Sequence, residues 1–277
     1  MNEQFLILDC NYLAHRAKYV FGDLSHKGSA TGVVYGFLKD ILNLMKRFDT
    51  QSLVFCWDSK ERKRRKILPE YKMKRREKEL SKQEEVFEKT FYIQIEKLRK
   101  QYLPTIGFNN VFRQAGYESD DLIAAICKSL DSQECIIISA DQDLFQLIRP
   151  NIKWYNPRSH TLVTLQNFKK EFKIHPKQWV KVKAIAGCIS DNVPGIKGVG
   201  EKTAIKYIRS ELDKSSKAYK TIKNGWKDIV LRNRLLVELP FKGTKTPKLQ
   251  ADNLSQNGWD EVTKTLGMKS IRFRSII

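Results

Sequence analysis

The sequence has few of the residues from which disulfide frameworks and zinc centres are built. It contains five cysteines, an odd number, and no Cys-x-x-Cys pair. Most of these cysteines lie in apolar runs, which is typical of reduced core residues in a cytosolic protein. The four histidines show no metal-ligand spacing. The sequence therefore argues against a disulfide scaffold and against a metal site built from cysteine and histidine.

Long apolar segments are also missing. No run approaches the roughly 18 residues that a membrane span requires, and the first residues show neither a basic leader nor a small-residue cleavage site. We therefore expect no membrane association and no secretion. With 277 residues, 41% of them hydrophobic, the chain can form one large domain or a core with a smaller appendage.

Acidic residues are scarce relative to basic ones. The chain has 31 Asp and Glu against 51 Lys and Arg, a formal net charge of +20. Such an excess indicates a polyanionic partner. Because no basic amphipathic anchor stands out, nucleic acid is a better candidate than a membrane surface.

The acidic residues that are present follow predicted strands. Three short apolar runs predict strands buried on both faces of a parallel sheet, at 5–8, 53–57 and 135–138. The acids after them are Asp9, Asp58, Asp141 and Asp143. Parallel neighbours end at one edge of a sheet, so these carboxylates would converge there. The alternative is that separate surface aspartates end separate strands.

A further acidic group opens a predicted helix at 119–130. It consists of Glu118, Asp120 and Asp121. Acids at a helix start can simply cap free N–H groups, and this alternative stays open for each of them. Several carboxylates packed together nevertheless repel one another and need a counter-charge. Ligands that are all oxygen suit Mg²⁺ or Mn²⁺.

The most basic part of the chain follows Asp58. A run of lysine and arginine within 60–82 leads into an amphipathic stretch at 86–103. Such a run is usually a solvated face. We interpret 60–103 as a basic, largely helical insertion beside the acidic edge, where cations could hold a nucleic-acid backbone.

The segment 190–208 supplies one more acid, Asp191, and a glycine-rich turn with Gly195, Gly198 and Gly200. It is not a P-loop, because the residues after Gly200 are Glu-Lys-Thr instead of Lys-Ser or Lys-Thr. A GxxGxG turn between two helices is typical of a helix-hairpin-helix, which binds a DNA phosphate through backbone N–H groups. A plain helix–helix turn is the alternative.

Periodicity gives the remaining secondary structure. Further helices are expected at 33–48, 165–172, 179–189, 201–208 and 226–239, and loops at 22–31, 151–160 and 241–258. The last twenty residues carry no motif that we can assign.

The chain resembles the 5′-nuclease superfamily of flap endonucleases, the 5′-nuclease domain of bacterial DNA polymerase I and phage 5′→3′ exonucleases. The similar pieces follow one another in family order: LILDCNYLAHR, VFCWDSKERKRRKILPEYKMKRR, GYESDDLIA, IISADQDLFQL, AGCISDNVPGIKGVGEKTA and RNRLLVELP. Each piece alone is weakly specific, but the ordered set is highly specific and covers most of the chain.

The resemblance implies an α/β fold with a central, mostly parallel sheet flanked by helices. It also implies a helical arch at about 60–103 and a C-terminal helix-hairpin-helix (H3TH) subdomain. The catalytic core would span 1–175, and the DNA-binding subdomain with the C-terminal helices would span 176–277. The implied reaction is hydrolysis of a DNA phosphodiester near a 5′ end or flap by a two-metal mechanism.

The resemblance also implies roles for individual residues. The positions that match family metal ligands are Asp9, Asp58, Glu118, Asp120, Asp121, Asp141, Asp143 and Asp191. Lys72 and Arg75 match the arch base and would act on the scissile phosphate. The implied DNA-binding residues are Arg16, Tyr71, Lys72, Arg75, Arg76, Gly195, Gly198, Gly200 and Lys202. Tyr71 would stack on a base.

Cofactors and partners follow from the same resemblance. Two Mg²⁺ or Mn²⁺ ions per active site are implied, and relatives also hold K⁺ at the hairpin. The implied substrates are 5′ flaps and nicked or branched DNA, with RNA–DNA hybrids and replication proteins as further candidates. We expect a monomer in the cytoplasm of a bacterial or phage-infected cell, acting in DNA replication or repair, including RNA primer removal.

One residue departs from the family pattern. Many bacterial-type members have an acid where this chain has Cys188. The alternative function is thus a catalytically weakened, structure-specific DNA-binding protein that lacks a full second metal site. A related RNase of the PIN type is a third possibility, but such domains usually lack the hairpin. We expect an active enzyme.

Overall fold

The computed structural model describes residues 4–73, 81–130 and 132–273. Within them, the strands are β1 (Phe5–Asp9), β2 (Ser25–His26), β3 (Ser29–Ala30), β4 (Leu53–Trp57), β5 (Val111–Arg113), β6 (Cys135–Ile138), β7 (Ile152–Asn156), β8 (Thr161–Val163), β9 (Gly187–Cys188) and β10 (Val193–Pro194). The helices are α1 (Cys10–Phe21), α2 (Gly32–Phe48), α3 (Lys82–Lys97), α4 (Leu103–Ile106), α5 (Ser119–Ser129), α6 (Leu165–Phe172), α7 (Trp179–Ala186), α8 (Glu201–Ile208), α9 (Lys217–Asn224), α10 (Leu231–Val237) and α11 (Gln256–Thr265).

Six strands form one sheet in the order β5-β4-β1-β6-β7-β8. Only its edge strand β8 runs antiparallel to its neighbour; the other pairs are parallel. The three strands expected from apolar runs are β1, β4 and β6, and they lie side by side with β1 in the middle. The predicted mostly parallel sheet flanked by helices is confirmed.

Both faces of the sheet are buried. On β1, Ile7 packs into a hydrophobic cluster with residues of α5 and α7. Its neighbours Leu6 and Leu8 pack into a second cluster with residues of α1 and α2. Because neither face meets water, the strands read as continuous apolar runs without polar alternation.

The segment 151–160 is not the loop that we expected, because it contains strand β7. Trp154 and Tyr155 of this strand pack into the two clusters, one on each face. The polar Lys153 and Asn156 interrupt the apolar run. A strand near the sheet edge tolerates such residues, so β7 lacks the continuous apolar run that predicts a buried strand.

The helix expected at 179–189 also ends early. Gly187 has a φ of 75°, which ends α7 and starts the short β9–β10 hairpin. A Cβ at this position would lie 2.3 Å from the backbone nitrogen of Gly195. Glycine is therefore required here both by conformation and by space.

The described residues of the basic insertion are helical in part, and residues 60–62 and 67–72 form bends and turns. A 3₁₀ turn covers Lys63–Lys66, and α3 continues through a π-helical turn at Leu98–Tyr102 into α4. Helix α3 begins with a capping box between Ser81 and Glu84. Arg75 and Arg76 lie outside the described residues, so their expected roles stay predictions.

The C-terminal segment packs back against the part of the chain that contains the large sheet. Helix α11 packs on α4, and its Trp259 is fully buried in the second hydrophobic cluster. Gly107, with a φ of 106°, lets this segment approach closely, since a Cβ there would lie 2.0 Å from the carbonyl oxygen of Asn253. The division into 1–175 and 176–277 remains a proposal. None of the helices in the described ranges is long and apolar enough to cross a bilayer.

Candidate metal centre and nucleic-acid interface

The ends of β1 and β4 meet the first turn of α5. Ser119 connects them: its N–H donates to Asp58 Oδ1 over 2.8 Å, and its hydroxyl donates to Asp9 Oδ1 over 3.2 Å. Ser139, just after β6, donates to Asp9 Oδ2 over 2.9 Å. The three strand ends thus hold Asp9 at the centre of the acidic edge.

Burial and mutual repulsion act on this edge together. Burial, followed by the charge of Asp58, raises the pKa of Asp9 from 3.8 to about 7. Burial and then the charges of Asp141 and Asp9 raise the pKa of Asp120 well above its usual range. Asp120 Oδ1 is buried and has no hydrogen-bond partner among the described residues. An unpartnered carboxylate oxygen among other carboxylates fits a divalent cation.

A second group of donors lies beside the first. One ligand atom each from Asp143, Cys188 and Asp191 can be chosen so that all lie within 4.8 Å of one another. Burial, then the charge of Asp141, raises the pKa of Asp143 to about 7. The ammonium of Lys183 on α7 lies 2.9 Å from Asp143 Oδ1 as an ion pair and donates a hydrogen bond to Glu201 of α8, so it joins this group to the hairpin.

Glu118 is surrounded by cations. Burial alone would raise its pKa, but Lys72, Arg64 and Arg62 outweigh burial and lower the pKa from 4.5 to about 2. Arg62 Nε lies 2.9 Å from Glu118 Oε1, and Lys72 pairs with the same oxygen. Glu118 therefore ties the base of the basic insertion to the start of α5.

Asp121 has its oxygens committed elsewhere. Its carboxylate is fully buried and forms a two-pronged ion pair with Arg64, with both distances 2.7 Å. It also accepts hydrogen bonds from the backbone N–H groups of Glu118 and Phe241. We propose a structural role for Asp121 in place of the metal-ligand role expected from the sequence.

Tyr71 does not present its ring for stacking. The side chain is only 4% exposed and belongs to the first hydrophobic cluster. Its hydroxyl donates to Glu118 Oε2 over 2.7 Å. Stacking on a base would require the buried ring to become exposed, and the expected stacking role of Tyr71 stays a prediction. Arg16 pairs with Asp40 and is partly exposed, so its expected role in DNA binding stays a prediction.

Lys72 joins the two acidic groups. Its ammonium lies 3.4 Å from Asp191 Oδ2 and also pairs with Glu118. Its backbone N–H donates to the carbonyl of Asp191 over 2.9 Å. The residue has a φ of 54°, a conformation that is uncommon outside glycine and that often marks functional sites.

The glycine-rich turn lies between α7 and α8, which pack together. A Cβ on Gly195 would lie 2.0 Å from the carbonyl oxygen of Ala186, so this glycine permits close packing. Gly198, with a φ of 78°, and Gly200 face open space. Gly200 caps α8, and Lys202 is exposed in its first turn. An open helix start with a lysine suits contact with a phosphate.

An open groove of about 530 Å³ runs along α3, outside the acidic groups. Its walls include Lys60, Lys89, Lys97 and Lys100, and the ring of Tyr92. Tyr92 is 44% exposed, and the Lys60 ammonium lies 5.8 Å from the centre of its ring. Exposed aromatic rings among lysines are typical of surfaces that bind single-stranded nucleic acid.

The comparison with known families agrees with this geometry. The family model described as "5'-3' exonuclease, N-terminal resolvase-like domain" matches residues 4–173. The match includes the whole six-stranded sheet and all the acids up to Asp143. The chain belongs to the 5′–3′ exonuclease family. It is therefore a nuclease, a hydrolase of phosphodiester bonds.

Individual relatives resemble different shares of this nuclease. A 5′–3′ exonuclease of Aquifex aeolicus is 33% identical over 207 residues, 73% of this chain and 68% of that protein. The thermostable DNA polymerase I of Thermus thermophilus is 31% identical over 208 residues, but the match spans only 24% of the polymerase. A bacteriophage T5 flap endonuclease, solved with DNA and metal ions, has a TM-score of 0.72 at 22% identity, covering 86% of this chain and 90% of that one. The last likeness shows a shared fold.

Three cations of the site have no recognisable signal in the sequence: Arg62, Arg64 and Lys183. In the sequence, the two arginines are part of a basic run that is expected to bind a nucleic-acid backbone. In the structure Arg64 is buried and Arg62 is partly exposed; Arg64 pairs with Asp121 of α5, and Arg62 pairs with Glu118, the residue just before α5. Lys183 was hidden in an ordinary helical pattern, and no spacing rule connects it with Asp143.

The acidic edge predicts how metal and pH affect the stability of the nuclease. Asp9 and Asp143 have folded pKa values of about 7, above the ordinary 3.8. The folded state favours the protonated forms of these two carboxyl groups. Their contribution to the stability of the fold is therefore complete below about pH 4 and is lost as the pH rises through 7. The pKa of Glu118 is shifted in the opposite direction, from 4.5 to about 2, so this residue changes the stability only below about pH 4.5. Without divalent metal, the melting temperature should therefore fall between about pH 5 and about pH 8.

Mg²⁺ should raise the melting temperature more at the upper end of this range than at the lower end, because it competes with protons for the same carboxylates. Differential scanning fluorimetry with EDTA and with Mg²⁺ measures both effects. An equal Mg²⁺ effect at the two pH values would contradict the prediction.

Proposed function

We propose that this chain is a metal-dependent 5′→3′ exonuclease and structure-specific flap endonuclease that hydrolyses DNA in replication or repair. The main support is a group of six aspartates that lie together beside the carboxyl ends of the central strands. They are Asp9, Asp58, Asp120, Asp141, Asp143 and Asp191. Beside that edge lie a lysine at the base of the basic insertion and an open hairpin.

Two divalent ions, Mg²⁺ or Mn²⁺, would be held by this edge. The residues fit them, because the donors are oxygens, apart from Cys188, and Asp120 Oδ1 is buried and unpartnered. When bound, such ions activate water and stabilise the charge of the leaving oxygen. Asp9, Asp58, Asp120 and Asp141 would hold the first ion, and Asp143 and Asp191 the second. Geometry and charge support this assignment. K⁺ at the hairpin is a further proposal, which rests on the resemblance to the family.

The protein itself positions the nucleic acid in this proposal. The N–H groups after Gly198 and Gly200, with Lys202, would bind a phosphate of the duplex without reading its bases. Lys72, which faces both acidic groups, would contact the scissile phosphate. The groove along α3 would bind the single strand next to it. Arg75, Arg76 and Arg16 remain further candidates for backbone contacts.

A panel of labelled substrates tests the proposal: a 5′ flap, a nicked duplex, a branched duplex and an RNA-primed duplex, each titrated with Mg²⁺ and Mn²⁺. Release of short products from the 5′ side is expected for flap and nicked DNA. A folded protein that binds flaps but cleaves none of them at any metal concentration would instead support the non-catalytic binding protein. Preference for the RNA-containing substrate would favour the RNase alternative.

Lys72→Ala should reduce the single-turnover cleavage rate by about 10²-fold or more, because a cation aimed at a reacting phosphate acts mainly in the transition state. The dissociation constant for flap DNA should change much less. Rapid-quench kinetics and binding titrations in Ca²⁺ measure the two quantities separately. A large loss of affinity with an unchanged rate would contradict this role.

Lys202→Ala should show the opposite pattern. It should weaken DNA binding and lower the slope of log affinity against log salt by about one, because one phosphate contact is lost. The cleavage rate at saturation should stay near that of the wild type. Lys264→Ala on α11 is a matched control, since this lysine is exposed but lies outside the hairpin. Equal effects of the two variants would argue against the hairpin contact.

A further inference from the structure

Cys188 stands among carboxylates in a position where a metal ion would be expected. Its sulfur and one carboxylate oxygen each of Asp143 and Asp191 lie no more than 4.8 Å apart. Around a tetrahedral zinc ion, sulfur at about 2.3 Å and carboxylate oxygen at about 2.1 Å lie about 3.6 Å from each other, so the donors would have to approach by up to about 1.2 Å. Small side-chain rotations would bring all three donors onto one ion.

The backbone around Cys188 is held in place. Cys188 pairs with Val193 across the β9–β10 hairpin, and the left-handed Gly187 and Asn192 flank the turn. Cys188 caps a short 3₁₀ turn, Ile189–Asp191, whose last residue is Asp191. The spacing between the thiol and the Asp191 carboxylate is therefore built into the hairpin. The thiol is partly exposed, whereas the other four cysteines are buried.

We infer that Asp143, Cys188 and Asp191 form a mixed thiolate–carboxylate site, which selects borderline or soft divalent ions such as Zn²⁺, Co²⁺ and Cd²⁺ over Mg²⁺. Thiolates favour these ions, whereas Mg²⁺ favours oxygen ligands. On binding, the S–H bond breaks, a sulfur–metal bond forms and the proton leaves to solvent. This inference rests on the proposed function, and it changes the ion expected at the second of its two metal sites from Mg²⁺ to a borderline or soft ion.

Cobalt provides a direct test that needs no DNA and no cleavage. Co²⁺ titrated into the metal-free wild-type protein should produce a thiolate-to-cobalt charge-transfer absorption in the near ultraviolet. Cys188→Ser should abolish this absorption and lower the affinity for Cd²⁺ by at least about tenfold. Cys188→Asp should also abolish it, while it increases Mg²⁺ affinity. Failure to see the absorption in the wild type would overturn the inference.

Carboxylate variants test whether the three residues form one site. Asp143→Asn and Asp191→Asn should each weaken Co²⁺ binding as measured by the same absorption. If both variants bind Co²⁺ with the affinity of the wild-type protein, Cys188 binds the metal without the carboxylates and the mixed site is refuted. Zn²⁺ should also slow alkylation of Cys188 by iodoacetamide far more than Mg²⁺ does, and equal rates would refute the selectivity.

Thermal melts of the metal-free variants establish that each is folded. Because the spectra do not depend on the reaction, a protein without nuclease activity could still satisfy the inference. Conversely, an active enzyme without the absorption would refute the mixed site and leave the proposed function intact.

Discussion

Asp141→Asn should reduce the cleavage of a 5′-flap substrate in Mg²⁺ by about 10³-fold or more. In the proposed site this residue is a metal ligand, and loss of metal-based stabilisation worth several kcal/mol corresponds to such a factor. The asparagine oxygen can still accept the hydrogen bond from the N–H of Asp143, which is 2.7 Å long in the structure. Single-turnover rates with labelled flap DNA measure the effect.

The same substitution should not destabilise the fold. The charge of Asp141 contributes to the raised pKa values of Asp9, Asp120 and Asp143, so its removal relieves repulsion. We expect the melting temperature of the metal-free protein to rise at neutral pH. Asp260→Asn, an exposed acid on α11, serves as the matched control and should leave both quantities unchanged. Full activity of Asp141→Asn would exclude the proposed metal centre.

Arg64→Ala should have the largest effect on stability, a loss of about 3–5 kcal/mol, because it leaves a buried carboxylate without its partner. Arg64 is 3% exposed and Asp121 is fully buried. The arginine also donates to the carbonyl oxygen of Leu236 over 2.7 Å, so it connects α5 with α10. For a chain of this size the loss corresponds to a fall in melting temperature on the order of 10 °C. Chemical denaturation gives the free energy of unfolding.

Two further variants sharpen this result. Arg234→Ala removes an ion pair with Glu238 whose side chains are 52% and 47% exposed, and it should cost less than about 1 kcal/mol. Asp121→Asn should lower stability in the same direction as Arg64→Ala, because it breaks the same pair. The Mg²⁺ concentration that this variant needs for cleavage should be the same as for the wild type. A higher Mg²⁺ requirement with unchanged stability would restore Asp121 to the metal ligands.

The sequence pattern does not distinguish the roles of Asp120 and Asp121. Both residues open the same helix and both match family ligand positions. Successive residues on a helix point about 100° apart, so two neighbouring acids cannot face the same partner. Asp120 lines the cavity with Asp143 and Asp191, whereas Asp121 meets Arg64. Which of the two faces Arg64 depends on the packing of a turn some 57 positions away in sequence.

Other differences have similar causes. The ring of Tyr71 could have been solvent-exposed or buried, and only the packing of the basic insertion against the core decides. Helix α11 carries no functional motif because it packs into the hydrophobic core through Trp259. The apolar periodicity of a helix of only ten residues is a weak sequence signal. Strand β7 is not predicted from the sequence because Lys153 interrupts its apolar run.

The sequence by itself determined the parallel sheet, the convergence of its acidic strand ends and the glycine-rich hairpin. These features follow from local rules: buried strands need continuous apolar runs, parallel strands end at a common edge, and left-handed turns need glycine. The tertiary structure alone decided which acid pairs with Arg64, that Lys183 neutralises Asp143, and that Cys188 lies within ligand distance of two carboxylates. Those facts depend on contacts between distant segments, and the packing that sets them leaves no local pattern.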